Sequence, residues 1–209
     1  MADRLIYLDN AATTQVYPEV VEAMMPFFTE YYGNPSSIYS FAGKGNQAVN
    51  NSRQIIADLI GADSSEIYFT AGGSESDNWA IKATAEAYAA KGKHIITSKI
   101  EHHAVLHTME WLEKQGFEVT YLDVDDKGIV RPETLKAAIR PDTILVSIMM
   151  ANNEIGTIEP IKELGAIAKE SGALFHTDAV QAFAHIPINV DEMNIDMLSA
   201  SGHKINGPK

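Results

Sequence analysis

The chain has 209 residues, an ordinary apolar content of 45% and a formal net charge of −12 at pH 7. The acidic balance argues against a nucleic-acid partner, because no basic excess exists to neutralise phosphates. The absence of cysteine excludes disulfides and thiolate metal sites, and the length suffices for one sizeable domain, or one domain plus a fragment of another.

Residues 1–7 lack a basic region followed by a long apolar run, so no secretory leader is expected. The longest apolar run, residues 143–151, is too short to span a bilayer. A cytoplasmic protein without membrane contact is the expectation.

In chain order, residues 17–32 and 47–60 predict helices. Between them Gly33-Asn34-Pro35-Ser36-Ser37 and Gly43-Lys44-Gly45 read as a long polar loop, of the kind that often carries function. From residue 67 onward strands and helices alternate. Residues 67–70 read as a buried strand, and 74–91 as a helix with Ala80, Ile81, Ala83, Ala87 and Tyr88 inward. Strand 94–98, helix 102–115, strand 117–124 and the short helix 133–139 follow. Residues 143–151 form a strongly buried strand, 161–170 a helix ended by Gly172, and 173–179 and 197–201 the last strands. Such alternation implies an α/β domain with a mostly parallel sheet covered by helices on both faces. The chain stops at Lys209, soon after a predicted strand and without a closing helix. A truncation or a proteolytic nick is the expectation there.

Five stretches carry residue types suited to chemistry. Ala71-Gly72-Gly73-Ser74-Glu75-Ser76-Asp77 lies between a predicted strand and a helix. Its glycines let the backbone approach a ligand, and free N–H groups at a helix start attract an anion. Ser74 and Asp77 equally fit a capping box, so an anion cradle and an ordinary capped turn both stay open. In His176-Thr177-Asp178-Ala179-Val180-Gln181, His176 and Asp178 share one strand face. Asp178 is near the carboxyl end, where open α/β sheets bind ligands. It could pair with a cationic ring nitrogen or be a satisfied strand-end acid.

Ser199-Ala200-Ser201-Gly202-His203-Lys204 puts a lysine at a strand exit. That lysine could form a Schiff base if its surroundings lower its pKa, or simply lie on the surface. Glu101-His102-His103, with His107 one turn beyond His103, offers imidazoles at i, i+4. No H-E-x-x-H or comparable signature accompanies them, so no metal is expected. Met150-Ala151-Asn152-Asn153-Glu154-Ile155-Gly156 follows the most buried strand. Asn153 could hydrogen-bond a ligand or belong to an Asn-rich turn. Polar groups converging at one sheet edge point to a site more than scattered coincidence does.

Tyr7-Leu8-Asp9-Asn10-Ala11-Ala12-Thr13-Thr14, Gly33-Asn34-Pro35-Ser36-Ser37, Gly73-Ser74-Glu75-Ser76-Asp77-Asn78, Glu101-His102, Asn152-Asn153-Glu154-Ile155-Gly156, His176-Thr177-Asp178-Ala179-Val180-Gln181 and Ser201-Gly202-His203-Lys204 stand in this order over nearly the whole chain. Together they resemble the NifS/IscS cysteine desulfurases of the class V aminotransferase group. The resemblance implies the large domain of the pyridoxal-phosphate (PLP) fold type I, with a mostly parallel sheet of the seven-stranded type and helices on both faces. Residues 1–15 would associate with a C-terminal small domain that is missing here. Residues 16–209 would be the PLP-binding large domain, incomplete at its C-terminal end.

The same resemblance implies pyridoxal 5′-phosphate as cofactor and L-cysteine as substrate, with L-alanine and an enzyme persulfide as products. It implies a homodimer, and sulfur-acceptor or scaffold proteins of iron–sulfur cluster or thiolation pathways as partners. Lys204 would hold the cofactor as a Schiff base and shuttle the Cα proton. Asp178 would pair with the pyridine nitrogen, His102 would stack on the ring and assist proton transfer, and Gln181 would bond the ring hydroxyl. Asn153 would position cofactor and substrate, while Gly73, Ser74, Ser201 and His203 would cradle the phosphate. Ser74 stands where the family often has Thr, Tyr39 where a His is common and Ala42 where a Gly is common. The family's persulfide cysteine and carboxylate-binding arginine would lie beyond this stretch, so the 209 residues alone are expected to be inactive.

Three rivals remain at this level. One is another class V enzyme, such as a selenocysteine lyase. Another is a metal-dependent hydrolase using His102, His103, His176 and Asp178. The third is a catalytically inactive truncated scaffold.

Overall fold

In the computed structural model, which describes residues 6–209, five short runs become strands of one sheet. They are β1 His94–Ser98, β2 Glu118–Leu122, β3 Thr143–Ser147, β4 Leu174–Asp178 and β5 Met197–Ser199. The order is β2-β1-β3-β4-β5, and every neighbouring pair is parallel. Parallel sheets need both faces covered, and β1 and β3 are buried at all five positions. Residues 1–5, part of the stretch read for a leader and of the expected segment 1–15, lie outside the described residues.

The sheet belongs to a compact unit, Thr70–Ser201. Its helices are α3 Gly73–Tyr88, α4 His103–Lys114, α5 Pro132–Ala138 and α6 Ile161–Ser171. α3 packs with α4, and α5 with α6, and both pairs pack on strands. Ile81, Ala85, Ile95, Val105, Met109, Leu112, Ile144 and Leu145 form a continuous apolar cluster. Each of these side chains except that of Ala85 contributes about 1.5–3 kcal/mol when fully buried.

The second unit comprises the chain up to Phe69 together with Gly202–Lys209. It holds α1 Pro18–Thr29 and α2 Gly43–Ile60, with single 3-10 turns at Ser40–Ala42, Ser64–Glu66 and Gly202–Lys204. Segments far apart in sequence knit together here. The Thr14 N–H donates to His203 O at 3.0 Å and the Tyr17 N–H to Asn206 O at 3.1 Å.

Several expectations shift. Of the expected parallel sheet, five strands lie among the described residues. Residues 67–70 have strand composition but no ladder partner among the described residues, and Tyr68 and Phe69 are exposed. A strand needs a neighbour as well as suitable side chains. The run 143–151 leaves the sheet after Ser147, and Ala151 forms an isolated antiparallel bridge with Ile158. The helix expected at 47–60 begins at Gly43, since the 3-10 turn before it leads straight into the first turn. The buried face of α3 is Asp77, Ile81, Thr84 and Ala85, while Ala83, Ala87 and Tyr88 face outward. Two polar residues on the inner face displaced the stripe drawn from apolar residues alone. No helix among the described residues is long and apolar enough to cross a membrane.

Candidate active site

β4 ends in Asp178, buried at the carboxyl edge of the sheet. Its Oδ1 accepts the Val180 N–H at 2.9 Å. The main chain around it is pinned on both sides: Met150 N–H donates to Asp178 O at 2.9 Å, and Ala179 N–H to Ser199 O at 2.8 Å. Against this turn sits the start of α3. A Cβ at Gly73 would lie 2.7 Å from Val180 Cγ2, so only glycine lets the helix start approach so closely. The same Cβ position is 3.6 Å from Ser201 Cβ, which brings Ser201 beside Gly73. Helix geometry leaves the first N–H groups of α3 without intrahelical partners, and Ser74 is exposed among them. The structure thus gathers Gly73, Ser74 and Ser201 around a helix start, the kind of place whose free N–H groups suit an anion.

The capping box expected of Ser74 and Asp77 does not form. Gly72 occupies the N-cap without a side-chain bond, and the Glu75 carboxylate reaches back to accept the Ala71 N–H. Asp77 points inward instead and is only 1% exposed.

His102 is the N-cap of α4, its Nδ1 accepting the Ala104 N–H at 3.1 Å. The ring is exposed. Glu101 beside it is buried, its Oε1 accepting Ser98 Oγ–H at 2.5 Å and Met149 N–H at 3.0 Å. Oε2 has no hydrogen-bond partner. Burial pushes this carboxyl up to about 8 against the pull of those two donors, and the charges of Asp178 and Asp77 add to the rise. Asn152 ties two loops of the edge, donating to Ile100 O at 2.9 Å and accepting Glu154 N–H at 2.9 Å. Asn153 is half-buried, its Nδ2 donating to Glu154 Oε1 at 2.8 Å. Gln181 is half-buried on the turn that follows Asp178.

Behind Asp178 on the same face, His176 is fully buried between two serines. Its Nδ1 lies 2.9 Å from Ser147 Oγ and its Nε2 3.0 Å from Ser199 Oγ. Asp77 Oδ1 is 3.7 Å from Nε2. Burial pushes His176 down to about 4. It pushes Asp77 up to about 8, helped by the Asp178 charge and opposed by a bond from Ser199. With both ring nitrogens engaged, His176 is no metal ligand. His103 and His107 stack at 5.3 Å on the exposed side of α4. Among the described residues no group of three His, Cys, Asp or Glu side chains could hold a metal ion.

His203 and Lys204 lie in the other unit. Lys204 Nζ donates to the Ala12 carbonyl at 2.9 Å and to that of Ala11. His203 Nδ1 is 3.1 Å from Thr13 Oγ1. Partial burial lowers the pKa of the His203 ring, and the charges of Lys204 and Lys209 lower it further. Sequence reasoning passed over Asp77, Glu101 and Asn152 as parts of the edge. Asp77 could have been found from its spacing, since it stands four residues before Ile81 on the helix face that is buried. Nothing local marks Glu101 or Asn152.

The model of the family described as Aminotransferase class-V matches residues 6–209. A cysteine desulfurase IscS from Methanosarcina thermophila is 63% identical over 207 residues, which is 99% of this chain and 51% of that protein. The solved structure titled "SspA in complex with cysteine" superposes with a TM-score of 0.95 at 48% identity, covering 97% of this chain and 58% of its own. A structure titled as a NifS-like protein gives 0.94 at 43% identity, covering 98% and 56%. The chain spans about half the length of the curated relatives it matches. Its parallel sheet flanked by helices is the α/β fold expected from the resemblance.

Proposed function

The chain belongs to the aminotransferase class-V family, and on that footing we propose that it forms the cofactor-binding part of a PLP-dependent cysteine desulfurase. The complete enzyme removes sulfur from L-cysteine and leaves L-alanine. The observation that carries the reading is Asp178, a buried carboxylate held at the end of β4 by the Val180 N–H. The donor set around it suits PLP. A glycine-started helix and two serine hydroxyls fit a phosphate, an acid fits a pyridinium nitrogen, and an exposed imidazole fits the face of a ring.

When bound, the cofactor supplies an electron sink for bond breaking next to the amino acid's Cα. Gly73 and Ser74 bind the phosphate through the helix start, with Ser201 and His203 adding donors. Asp178 keeps the ring nitrogen protonated, Gln181 bonds the ring hydroxyl, and Asn153 orients cofactor and substrate. His102 stacks on the ring. Lys204 holds the cofactor through Nζ and moves the Cα proton, which requires an amine without its own proton. The 209 residues contain no cysteine, so the thiol that takes the sulfur is supplied from outside them. In the complete enzyme residues 1–15 associate with a small domain and residues 16–209 form the large one. The enzyme is a cytoplasmic homodimer that passes sulfur to acceptor proteins.

Borohydride reduction of the purified protein with added PLP, followed by peptide mapping, tests the assignment. A pyridoxyl adduct on Lys204 is the expected result. An adduct confined to other lysines, or none, overturns it.

A further inference from the structure

Residues 11–17 and 203–206 come from opposite ends of the chain, yet within the helical unit they are bound into one strap. The Thr14 N–H and hydroxyl both donate to His203 O, at 3.0 and 2.8 Å. The same hydroxyl oxygen accepts the Asn206 N–H at 2.8 Å. Thr14 thus bridges the two residues that flank Lys204 and Ile205. Farther along, the Tyr17 N–H donates to Asn206 O at 3.1 Å and Asn206 Nδ2 to Gln15 O at 2.8 Å. On the other side of Thr14 the strap offers main-chain carbonyls to the lysine itself. Lys204 Nζ donates to Ala12 O at 2.9 Å and to Ala11 O.

A lysine nitrogen with two or three protons can donate to both carbonyls. Linkage to an aldehyde joins Nζ to the carbonyl carbon and releases the aldehyde oxygen with two Nζ protons as water. Nζ then keeps at most one N–H, so the two carbonyl bonds and a link to the cofactor are alternatives. We propose that the Ala11 and Ala12 carbonyls are a holding site for the unlinked Lys204 amine, in competition with its link to the cofactor, and that Thr14 is the positioning residue that keeps this site on the amine. The inference rests on Lys204 being the lysine that links. A lysine that both holds the cofactor and moves the Cα proton spends part of each cycle unlinked, and the carbonyl pair fixes where it waits. Main-chain carbonyls survive every side-chain substitution, so the Thr14 hydroxyl is the handle by which the strap can be loosened.

The first measurement needs no cofactor. Limiting acetic anhydride followed by peptide mass mapping compares Lys204 with the exposed Lys136 in the purified protein. In the parent, Lys204 is expected to react more slowly than Lys136; equal reactivity overturns the holding site, whether or not any variant folds. Thr14→Val removes the hydroxyl and keeps the branched shape. It is expected to raise Lys204 acetylation about fivefold, as the loss of one net hydrogen bond predicts, with Lys136 unchanged. Thr14→Ser restores the hydroxyl and is expected to react like the parent. Unchanged Lys204 acetylation in folded Thr14→Val overturns the proposal. The second measurement traps the Lys204–PLP link with borohydride over a range of PLP concentrations. Release from a competing hold favours the link, so half-maximal trapping in Thr14→Val is expected at about fivefold lower PLP, whereas general damage to the site moves it higher. A midpoint that stays or rises while the parent links at Lys204 overturns this inference alone. A parent that forms no adduct on Lys204 overturns the Schiff-base reading, and this inference with it.

Discussion

In the helical unit Asp63 stands at the surface, its Oδ1 accepting the Ser65 N–H at 2.8 Å while Glu66 reaches back to the Asp63 N–H at 2.8 Å. In the sheet unit Asp77 and Glu101 are buried with one oxygen each lacking a partner. The same chemistry is tuned in opposite directions: those bonds hold Asp63 below its usual range, while burial drives the other two up. Apolar residues follow the same contrast. α1 has no buried residue and exposes Val21, Met25 and Phe28, whereas β1 and β3 are buried at every position. A parallel sheet covered on both faces creates the desolvated positions where carboxyl groups acquire unusual proton affinities, and such positions cluster at functional sites.

The sharpest way to break the comparison is to cut into each unit's apolar residues. Leu145 is fully buried in the central strand β3, and Leu145→Ala is expected to cost about 2–5 kcal/mol of stability. Met25 is 52% exposed on α1, and Met25→Ala is expected to change stability by no more than about 0.5 kcal/mol. Urea denaturation of the two variants beside the parent measures both. Equal losses would mean that α1 carries as much of the core as β3.

A smaller effect is expected at the helix start. Gly73→Ala sets a methyl against Val180 Cγ2 at 2.7 Å, and overpacking of this kind costs about 1–3 kcal/mol. The obstacle is a side-chain methyl, so Val180→Ala in the same chain is expected to restore most of the loss. Thermal denaturation of the two single variants and the double one gives the coupling. A Gly73→Ala protein as stable as its parent would show that α3 does not rest on the 178–181 turn.

Much of the sheet unit was legible because short range decides it. Residues 94–98, a run of apolar and β-branched residues after a lysine-glycine turn, became β1 with its predicted bounds. Gly172 ended α6 as expected. Asp178 was legible as a strand-end acid because period-two alternation sets its face and its position sets its edge. Residues 67–70 failed because strand identity depends on a neighbour that composition does not specify. Asp77 was misread for another reason. Near a helix start an acid reads as a cap, and that reading outweighed the four-residue spacing to Ile81, which puts Asp77 on the face of α3 that packs against β4 and β5. Glu101 was read as a motif neighbour of His102, yet its bonds to Ser98 and Met149 join the ends of two strands. Such three-dimensional convergence has no one-dimensional trace.

The gentlest test follows the opposed carboxyl groups through pH, where one proton changes stability by at most about 1.4 kcal/mol per pH unit. Glu101 is raised from 4.5 to about 8 in the folded chain. Its contribution is therefore complete below 4.5 and is lost as pH rises toward 8, because over that range the folded state holds a proton the unfolded state has released. Asp63 is lowered from 3.8, so its contribution is present above 3.8 and is lost as pH falls through its folded value. His176, pushed from 6.5 down to about 4, also loses its contribution as pH falls, and so shares the acid limb with Asp63. Urea denaturation at a series of pH values from 3 to 9 resolves the two limbs. Glu101→Gln is expected to make the decline between pH 5 and 8 shallower, Asp77 continuing to contribute to it, and to leave the acid limb unchanged. Asp63→Asn is expected to flatten only the acid limb, and by less. A Glu101→Gln profile parallel to the parent's between pH 5 and 8 would mean that Glu101 ionises in the folded chain much as it does in water, and the contrast between the two units would then rest on apolar burial alone.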